Sequence, residues 1–222
     1  MTLTELGAIC EANGLPLSSE QLAKLQAYAD LLCTKNKGVN LISRKDEENI
    51  LAKHILHSLT LIFSNAGLTG IKYGAKVFDL GTGGGLPGIP IKIARPDIEM
   101  TLCDSIAKKI NAVSEIVNSL ELQVRTISDR AENISSKKEH KNTYDVVVTR
   151  AVAPLDELLK WSHDLLKKGG SLLSLKGGNI EEEIMRAKQL KFIRSIEEAL
   201  LSLQEYEEFA KEEKKIVRVT LV

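Results

Sequence analysis

The sequence contains few cysteines and no long apolar run. Its three cysteines, Cys10, Cys33 and Cys103, are scattered and form no Cys-x-x-Cys pair, which predicts a reducing interior and no structural zinc site. No run of about 18 apolar residues is present, so no membrane span is predicted. The first residues lack the basic-then-apolar order of a secretion signal. These absences predict a cytoplasmic protein that uses neither a membrane nor a metal.

The chain also lacks net charge, because 30 Lys and Arg residues balance 30 Asp and Glu residues. Lysine and arginine make most phosphate contacts in nucleic-acid complexes, so charge alone does not indicate such a partner. Local basic groups remain at 35–37, 44–45, 108–109 and 137–141. Most groups of this kind are solvated surface.

The most informative feature that is present is a glycine-dense turn after an apolar segment. Residues 77–88 read Val-Phe-Asp-Leu-Gly-Thr-Gly-Gly-Gly-Leu-Pro-Gly, so a strand containing Asp79 leads into Gly81, Gly83 and Gly85. Glycine is favoured where the backbone takes a positive φ or approaches a ligand closely. The amides of such a turn and of the helix that follows can face a ligand. The pattern is typical of a nucleoside cofactor site in an open α/β sheet.

Three interpretations of this turn compete. Residues 83–88 fit the dinucleotide pattern G-x-G-x-x-G, but in that pattern the first glycine closes the strand, and here Gly81 already does so. Asp79 lies two residues earlier, and a carboxylate there favours a cationic ligand over a pyrophosphate. S-adenosylmethionine carries an ammonium and a sulfonium and no phosphate. We therefore favour this methyl donor over a dinucleotide and over a turn without a ligand.

Strands and helices alternate after the turn. Strands are predicted at 99–104, 123–128, 144–152, 171–176 and 215–222, and helices at 106–120 and 155–166, the second closed by Gly169 and Gly170. The alternation predicts an α/β, Rossmann-like fold with a mainly parallel sheet and helices on both faces. Ligands of such sheets bind beyond the carboxyl ends of the strands, at the switch point.

Several polar residues follow predicted strands and are therefore site candidates. Asp104 can accept hydrogen bonds from both hydroxyls of a ribose, or it can cap the helix that starts near Ile106. The loop 128–132 can flank an adenine with one small and one polar residue. Lys176 ends another strand, where a solvated lysine is the default expectation.

Arg150 ends a Val-rich strand, where an unpaired charge is costly to bury. Its partner can be Asp79, the carboxylate of the methyl donor or an RNA phosphate. A purely structural salt bridge is the alternative.

The residues after the fourth strand narrow the chemistry. Methylation of an exocyclic amine usually needs acceptors there, and 149–154 read Thr-Arg-Ala-Val-Ala-Pro. Methylation of a pyrimidine carbon needs a thiol nucleophile, and no cysteine is expected to be placed for it. A ring nitrogen such as guanine N7 needs neither, so catalysis would depend on proximity and orientation. No catalytic residue is assigned, and Arg150 is a candidate for orienting the reactants.

The first 70 residues are predicted to form a helical extension. One apolar stripe follows a Ser18-x-x-Gln21 capping box, and a second covers 51–62. His54 beside the second stripe is interpreted as a packed or capping residue. The clearest exposed loop is predicted at 135–143. The stripes are Leu22, Leu25, Ala29 and Leu32, and Leu51, Ile55, Leu59 and Ile62.

The chain resembles the small-subunit (16S) ribosomal RNA guanine-N7 methyltransferases, also known as glucose-inhibited division protein B. Residues 77–83 with 85–90 match that family's signature nearly letter for letter. Shorter motifs follow in the family's order at 94–96, 102–105, 108–109, 130–132, 149–151 and 175–177. With 40–43 and 54–56, the resemblance covers almost the whole chain. The chain departs from the family at Lys35, His57 and Gly84, where the family usually has Trp, Asp and Pro.

The resemblance implies a class I methyltransferase sheet over 71–222, with 1–70 as an N-terminal helical extension. It implies S-adenosylmethionine as the methyl donor, held by Gly81, Leu86, Ala131 with Glu132, and Arg150. Together with the residues identified above, the expected cofactor-binding set is Asp79, Gly81, Gly83, Gly85, Leu86, Asp104, Ala131, Glu132 and Arg150.

The implied acceptor is a guanine of small-subunit ribosomal RNA, met as naked RNA or within the small ribosomal subunit. We expect the protein to be a monomer. Two alternatives remain open: a methyltransferase that acts on another substrate, and an RNA-binding factor for ribosome assembly. A dinucleotide oxidoreductase is less favoured because of Gly81 and Asp79.

Overall fold

The computed structural model describes residues 1–65, 68 and 70–222. Within them, the strands are β1 (Lys76–Leu80), β2 (Glu99–Asp104), β3 (Val124–Ser128), β4 (Tyr144–Arg150), β5 (Leu166–Gly177), β6 (Ile193–Leu200) and β7 (Lys214–Leu221). They form one sheet in the order β3-β2-β1-β4-β5-β7-β6. The strands from β1 to β5 are parallel, and β7 is antiparallel to both β5 and β6. This confirms the predicted Rossmann-like, mainly parallel sheet.

Helices cover both faces of the sheet. Successive residues of a strand point to opposite sides, so an apolar strand needs cover on both faces. Val146 and Val148 of β4 pack into one apolar cluster with the N-terminal helices, whereas Val147 packs into a second cluster on the other face. The Val-Val-Val run is thus buried on both faces, as in other parallel sheets. The helices are α1 (Leu3–Ala12), α2 (Ser19–Asn36), α3 (His57–Leu59), α4 (Gly88–Ala94), α5 (Ala107–Ser119), α6 (Ala131–Ser136), α7 (Leu155–Ser162), α8 (Glu181–Ala187) and α9 (Glu208–Lys211).

The N-terminal region is helical, as predicted. Ser18 Oγ accepts a hydrogen bond from the Gln21 amide at 3.2 Å, and the Ser18 amide donates to Gln21 Oε1 at 2.9 Å. This capping box starts α2, whose Leu25 and Leu32 are fully buried. The second stripe forms a 3-10 segment (Arg44–Asn49), a π-helical turn (Leu51–Leu56), α3 and a short 3-10 turn (Thr60–Ile62).

Two predicted element ends are wrong. The strand predicted to reach residue 152 ends at Arg150, because Ala151 takes a left-handed φ of +53°. Gly169 and Gly170 do not close a helix, since α7 ends at Ser162 and both glycines lie in β5. The β4–β5 register shifts at this point. A Cβ on Gly170 would lie 2.8 Å from the Lys167 carbonyl oxygen, so the shift needs a glycine.

The edge strand β6 and the helix α8 are absent from the predictions. Glu197 and Glu198 on β6 resemble solvated surface in the sequence, but they pair across to β7. Glu198 Oε1 lies 2.7 Å from Lys215 Nζ, and Glu197 Oε1 lies 3.5 Å from Arg218 Nε. Charged side chains on an edge strand also discourage pairing with other chains.

The loop predicted at 135–143 is also partly wrong. Helix α6 extends to Ser136, and the side chain of His140 is buried, with Nδ1 2.9 Å from the hydroxyl of Tyr144. Within this polar segment, His140 is thus the residue that holds the loop against β4.

One apolar cluster joins α1 and α2 to a face of the sheet. Part of the boundary proposed near residue 70 falls on residues 66, 67 and 69, which lie outside the described residues. The division into 1–70 and 71–222 stays a prediction. Within the described part of the chain, no helix combines the length and apolar character needed to cross a membrane.

Candidate functional site

A candidate site lies at the switch point of the sheet. The chain runs from β1 to β2 and β3 on one side, then returns to the other side of β1 as β4. A cleft of about 610 Å³ lies there, beyond the carboxyl ends of β1, β2 and β4. This is the position at which open α/β sheets bind ligands.

Glycines shape the floor of this cleft. Gly81 and Gly83 line it and have φ values of +72° and +57°. A Cβ on Gly81 would lie 2.6 Å from Cγ2 of Val152, so the main chain at Gly81 and the side chain of Val152 approach each other closely. Gly85, with φ +96°, does not line the cleft, and a Cβ there would collide with Ile89 of α4. Gly85 therefore serves the packing of the loop against the helix.

Asp79 is fully buried and lies behind the loop, outside the residues that line the cleft. Its Oδ2 accepts hydrogen bonds from Thr82 Oγ1 at 2.6 Å and from the Gly88 amide at 2.8 Å. Burial raises the pKa of Asp79 to about 7, although these two hydrogen bonds act to lower it. The contacts assign Asp79 to the organisation of the loop, and a direct role in ligand binding stays a prediction.

Asp104 lines the cleft at the end of β2. Its Oδ2 accepts a hydrogen bond from the Gly83 amide at 3.0 Å, and its Oδ1 accepts one from the Ile106 amide at 2.9 Å. The alternative considered from the sequence, a helix cap, is not what the structure shows: Ile106 is the N-cap residue of α5, and no side chain among the described residues caps that helix. Each carboxylate oxygen retains further acceptor capacity, so the ribose role is compatible with these contacts.

The loop after β3 also faces the cleft, where Ala131 and Glu132 open α6. Asp129 fixes this loop by accepting hydrogen bonds from the Arg130 amide, Asn133 Nδ2 and Lys137 Nζ at 2.8, 2.8 and 2.9 Å. The contact with Lys137 is the main reason that the pKa of Asp129 falls to about 2. The loop thus presents a fixed main chain to the cleft.

Arg150 lies at the end of β4 and contacts the N-terminal extension. One guanidinium nitrogen donates to the Lys53 carbonyl oxygen at 3.0 Å, and another contacts Nδ1 of His54. The oxygen of Asp79 that makes hydrogen bonds is used by Thr82 and Gly88, and Arg150 is not among its partners. Arg150 therefore ties the sheet to the extension.

His54 is packed, as the sequence interpretation expected, and Lys176 differs from its expectation. Burial lowers the pKa of His54 to about 4, so its ring is neutral near pH 7. Lys176 is not simply solvated, because its Nζ lies 2.6 Å from Glu183 Oε2 and 2.8 Å from the Ala153 carbonyl oxygen. Only 12% of its side chain is exposed. This ion pair joins the end of β5 to α8.

Cys103 lies within β2, the second predicted strand, and its side chain reaches the cleft. No cysteine was expected to be placed for nucleophilic chemistry. Its Sγ donates to the Asp129 carbonyl oxygen at 3.4 Å. Burial raises the pKa of this thiol to about 12, so the thiol stays protonated near pH 7. A protonated thiol is a poor nucleophile.

Some lining residues were missed because they reach the cleft through tertiary packing. Asn36 Oδ1 accepts hydrogen bonds from the amides of Leu41 and Ile42 at 2.7 and 3.0 Å, which holds Leu41 at the cleft. Tyr28 of α2 donates its hydroxyl proton to the Gly84 carbonyl oxygen at 3.0 Å. In the sequence, the family motif at 40–43 was the one indication that the N-terminal region contributes to the cleft. The lining residues missed from the sequence include Leu41, Lys109, Val152 and Trp161.

Among the residues that the structure describes, no group of three or more His, Cys, Asp or Glu side chains could hold a metal ion.

Comparison with known proteins relates most of the chain to one family. A family model described as rRNA small subunit methyltransferase G matches residues 21–213. The Ribosomal RNA small subunit methyltransferase G of Chlorobium luteolum is 40% identical over 183 residues, which are 82% of this chain and 73% of that protein. Its counterpart in Chlorobaculum tepidum is 40% identical over 199 residues, which are 87% and 88% of the two chains.

A structural comparison supports the fold alone. The crystal structure of a predicted O-methyltransferase from Agrobacterium tumefaciens superposes with a TM-score of 0.57. It covers 76% of this chain and 80% of that one, at 11% sequence identity.

Proposed function

This chain belongs to the rRNA small subunit methyltransferase G family, and from that premise we propose that it transfers a methyl group from S-adenosylmethionine to N7 of a guanine in small-subunit ribosomal RNA. The observation that carries the proposal is the family match over 21–213. That range contains every residue that lines the cleft at the switch point.

The residues of the cleft fit S-adenosylmethionine. Its volume of about 610 Å³ is in the usual range for small-molecule sites. Asp104 offers carboxylate oxygens to ribose hydroxyls, and Arg150 offers guanidinium donors to the carboxylate of the methyl donor. Gly81 leaves main chain exposed where any side chain would meet Val152. Leu86 and Trp161 supply apolar surface for the adenine and the methylene groups.

The cofactor supplies an electrophilic methyl group on a sulfonium when it is bound. The protein residues have only to hold the reactants in line, because guanine N7 has a free lone pair and loses no proton. Methylation of a pyrimidine carbon lacks its nucleophile, because the thiol of Cys103 is held protonated. Methylation of an exocyclic amine lacks its acceptors, because residues 149–154 include no Asn or Asp. Catalysis by proximity and orientation is therefore the mechanism that the cleft supports best.

We extend the proposal to the partner and the setting. The acceptor is small-subunit ribosomal RNA, as naked RNA or within the small ribosomal subunit. Action in the cytoplasm and a monomeric state stay predictions.

Two measurements test the proposed function. Calorimetry should show binding of S-adenosylmethionine and of its demethylated product, and no binding of NAD. Mass mapping of small-subunit ribosomal RNA should show one 7-methylguanosine that disappears from cells lacking the gene. Binding of NAD without binding of the methyl donor, or an unchanged set of methylated guanines, would contradict the proposal.

The assembly-factor alternative predicts a different result in cells. A variant that cannot bind the methyl donor would then restore normal ribosome assembly in a strain that lacks the gene. The methyltransferase proposal predicts that such a variant leaves the guanine unmethylated, whether or not it binds ribosomes.

A further inference from the structure

A second cavity, of about 670 Å³, lies beside the cofactor cleft. We propose that it is the acceptor pocket, into which one guanosine nucleotide of the RNA is inserted after leaving its stack. This inference rests on the proposed function and names where its substrate binds. Many enzymes that modify a base act on an unpaired nucleotide or take the base out of its stack.

The position of the cavity suits an acceptor. Within the described chain, Arg150 and Ala151 are the residues that line both cavities, at the carboxyl end of β4. Reacting atoms must approach to about 3–3.5 Å, so the acceptor has to enter beside the cofactor cleft. Ala151 has a φ of +53°, a conformation that is uncommon for alanine. Strained residues of this kind cluster at functional sites.

Apolar surface suited to a flat base lines part of the cavity. Leu175 at the end of β5 and Phe209 of α9 both line it, and each is only 2% exposed. His57 lies next to Phe209, with the ring centroids 5.1 Å apart. Unstacked bases in RNA complexes commonly pack against aromatic and apolar side chains.

Two buried histidines supply polar groups. His54 and His57 line the cavity, each is 7% exposed, and the Nε2 atom of each has no hydrogen-bond partner among the described residues. Nδ1 of His54 accepts the contact from Arg150, which leaves the ring proton on Nε2 as a donor. A guanine offers an acceptor at O6. Buried polar groups without partners are costly, and an inserted base can satisfy them.

The cavity also has a cation suited to the phosphate of the nucleotide. Lys53 is paired closely, with Nζ 2.9 Å from Asp46 Oδ1. Lys214 is held less closely, with Nζ 3.5 Å from Glu212 Oε2, and 32% of its side chain is exposed. Lys214 is therefore the residue we assign to phosphate contact.

A size series at Gly177 tests the pocket. Gly177 lines the cavity, its φ is not positive, and a Cβ there would meet Lys214 Cδ at an ordinary 3.7 Å. Gly177→Ala should lower kcat/KM for RNA much less than Gly177→Leu does, because a methyl group takes up only a small part of the cavity. Gly177→Leu should fill the cavity and lower kcat/KM for RNA by about 100-fold. Assays use small-subunit RNA and small ribosomal subunits from cells lacking the gene, with melting temperature and S-adenosylmethionine affinity measured on each variant.

Two lysine substitutions, one in the cavity and one outside it, test the phosphate contact. Lys214→Ala should weaken RNA binding and lower the slope of log K against log salt by about 1. Lys211→Ala is the matched control, because Lys211 lies three residues away, is 67% exposed and pairs with Glu207 outside the cavity. It should leave the slope unchanged.

The outcomes separate the two proposals. Normal RNA methylation by a folded Gly177→Leu variant would overturn the acceptor pocket and leave the methyltransferase function intact. Equal salt slopes for Lys214→Ala and Lys211→Ala would overturn the phosphate contact. Absence of guanine methylation by the wild type, with donor binding retained, would contradict the proposed function itself.

Discussion

The two cavities that meet at Arg150 are built in different ways. The cofactor cleft is lined mostly by residues that directly follow β1, β2, β3 and β4. The second cavity joins the N-terminal extension, the end of β5 and the segment around α9. Strand ends in a parallel sheet meet at one edge by topology alone, whereas the second cavity exists only after distant segments have packed. The topology of the sheet thus shapes the proposed cofactor cleft, and the segments outside the parallel strands shape the second cavity beside it.

Gly81→Val should give the largest effect, because it adds a branched side chain at φ +72° against Val152. We expect loss of detectable binding of S-adenosylmethionine by calorimetry. Gly169→Val is the matched control, since Gly169 has φ +74° and open space at the Cβ position. Gly81→Ala is the milder variant if Gly81→Val does not fold. Normal donor affinity in folded Gly81→Val would show that the ligand does not approach the main chain here.

Arg150→Ala should remove the one charged side chain that lines both cavities in the described part of the chain. We expect single-turnover methylation to fall by about 100-fold, because a small misplacement of reactants has effects of this size. Arg150→Lys should rescue poorly, since an ammonium cannot copy the planar fork that reaches Lys53 and His54. Activity that falls only in step with melting temperature would indicate a structural role, and full activity in a stable Arg150→Ala protein would show that the assignment is wrong.

Asp104→Ala should weaken the cofactor cleft and leave the second cavity unchanged. Loss of charge-assisted hydrogen bonds should cost roughly 1.5–3 kcal/mol of donor affinity. Asp104→Asn keeps one acceptor oxygen and should show a smaller loss. An unchanged affinity, with only the melting temperature lowered, would leave Asp104 with its contacts to Gly83 and Ile106 as its sole role.

Tyr28→Phe should give the smallest effect and measures how far the extension supports the cofactor cleft. It removes the hydrogen bond to the Gly84 carbonyl oxygen, which should cost about 1 kcal/mol of stability. Tyr73→Phe is the control, because Tyr73 is 88% exposed. A fall in donor affinity for Tyr28→Phe beyond the loss in stability would show that α2 shapes the glycine loop directly.

The sequence predicted the fold well where a pattern is local. β2 and β3 lie within one residue of their predicted bounds, and β1 contains Asp79 as predicted. Helix α5 lies within one residue of its predicted bounds at each end. Prediction failed where local signals were ambiguous. β6 carries several charges and is half-exposed, and its pairing with β7 decides its conformation. Gly169 and Gly170 resemble a helix stop, and only the β4–β5 register shows that they serve a strand irregularity.

The sequence by itself determined the class of site, because a strand, a glycine turn and a helix place main-chain donors at a fixed edge of the sheet. The cleft is lined by seven of the residues expected from the sequence, all in the glycine turn or at the ends of neighbouring strands: Gly81, Gly83, Leu86, Asp104, Ala131, Glu132 and Arg150. Tertiary structure decided the partners of those residues. Asp79 turned inward to the loop, and Arg150 met a carbonyl and an imidazole almost a hundred residues away in the chain. Long-range contacts of this kind depend on how separate helices pack, and no periodicity along the chain encodes which atoms they bring together.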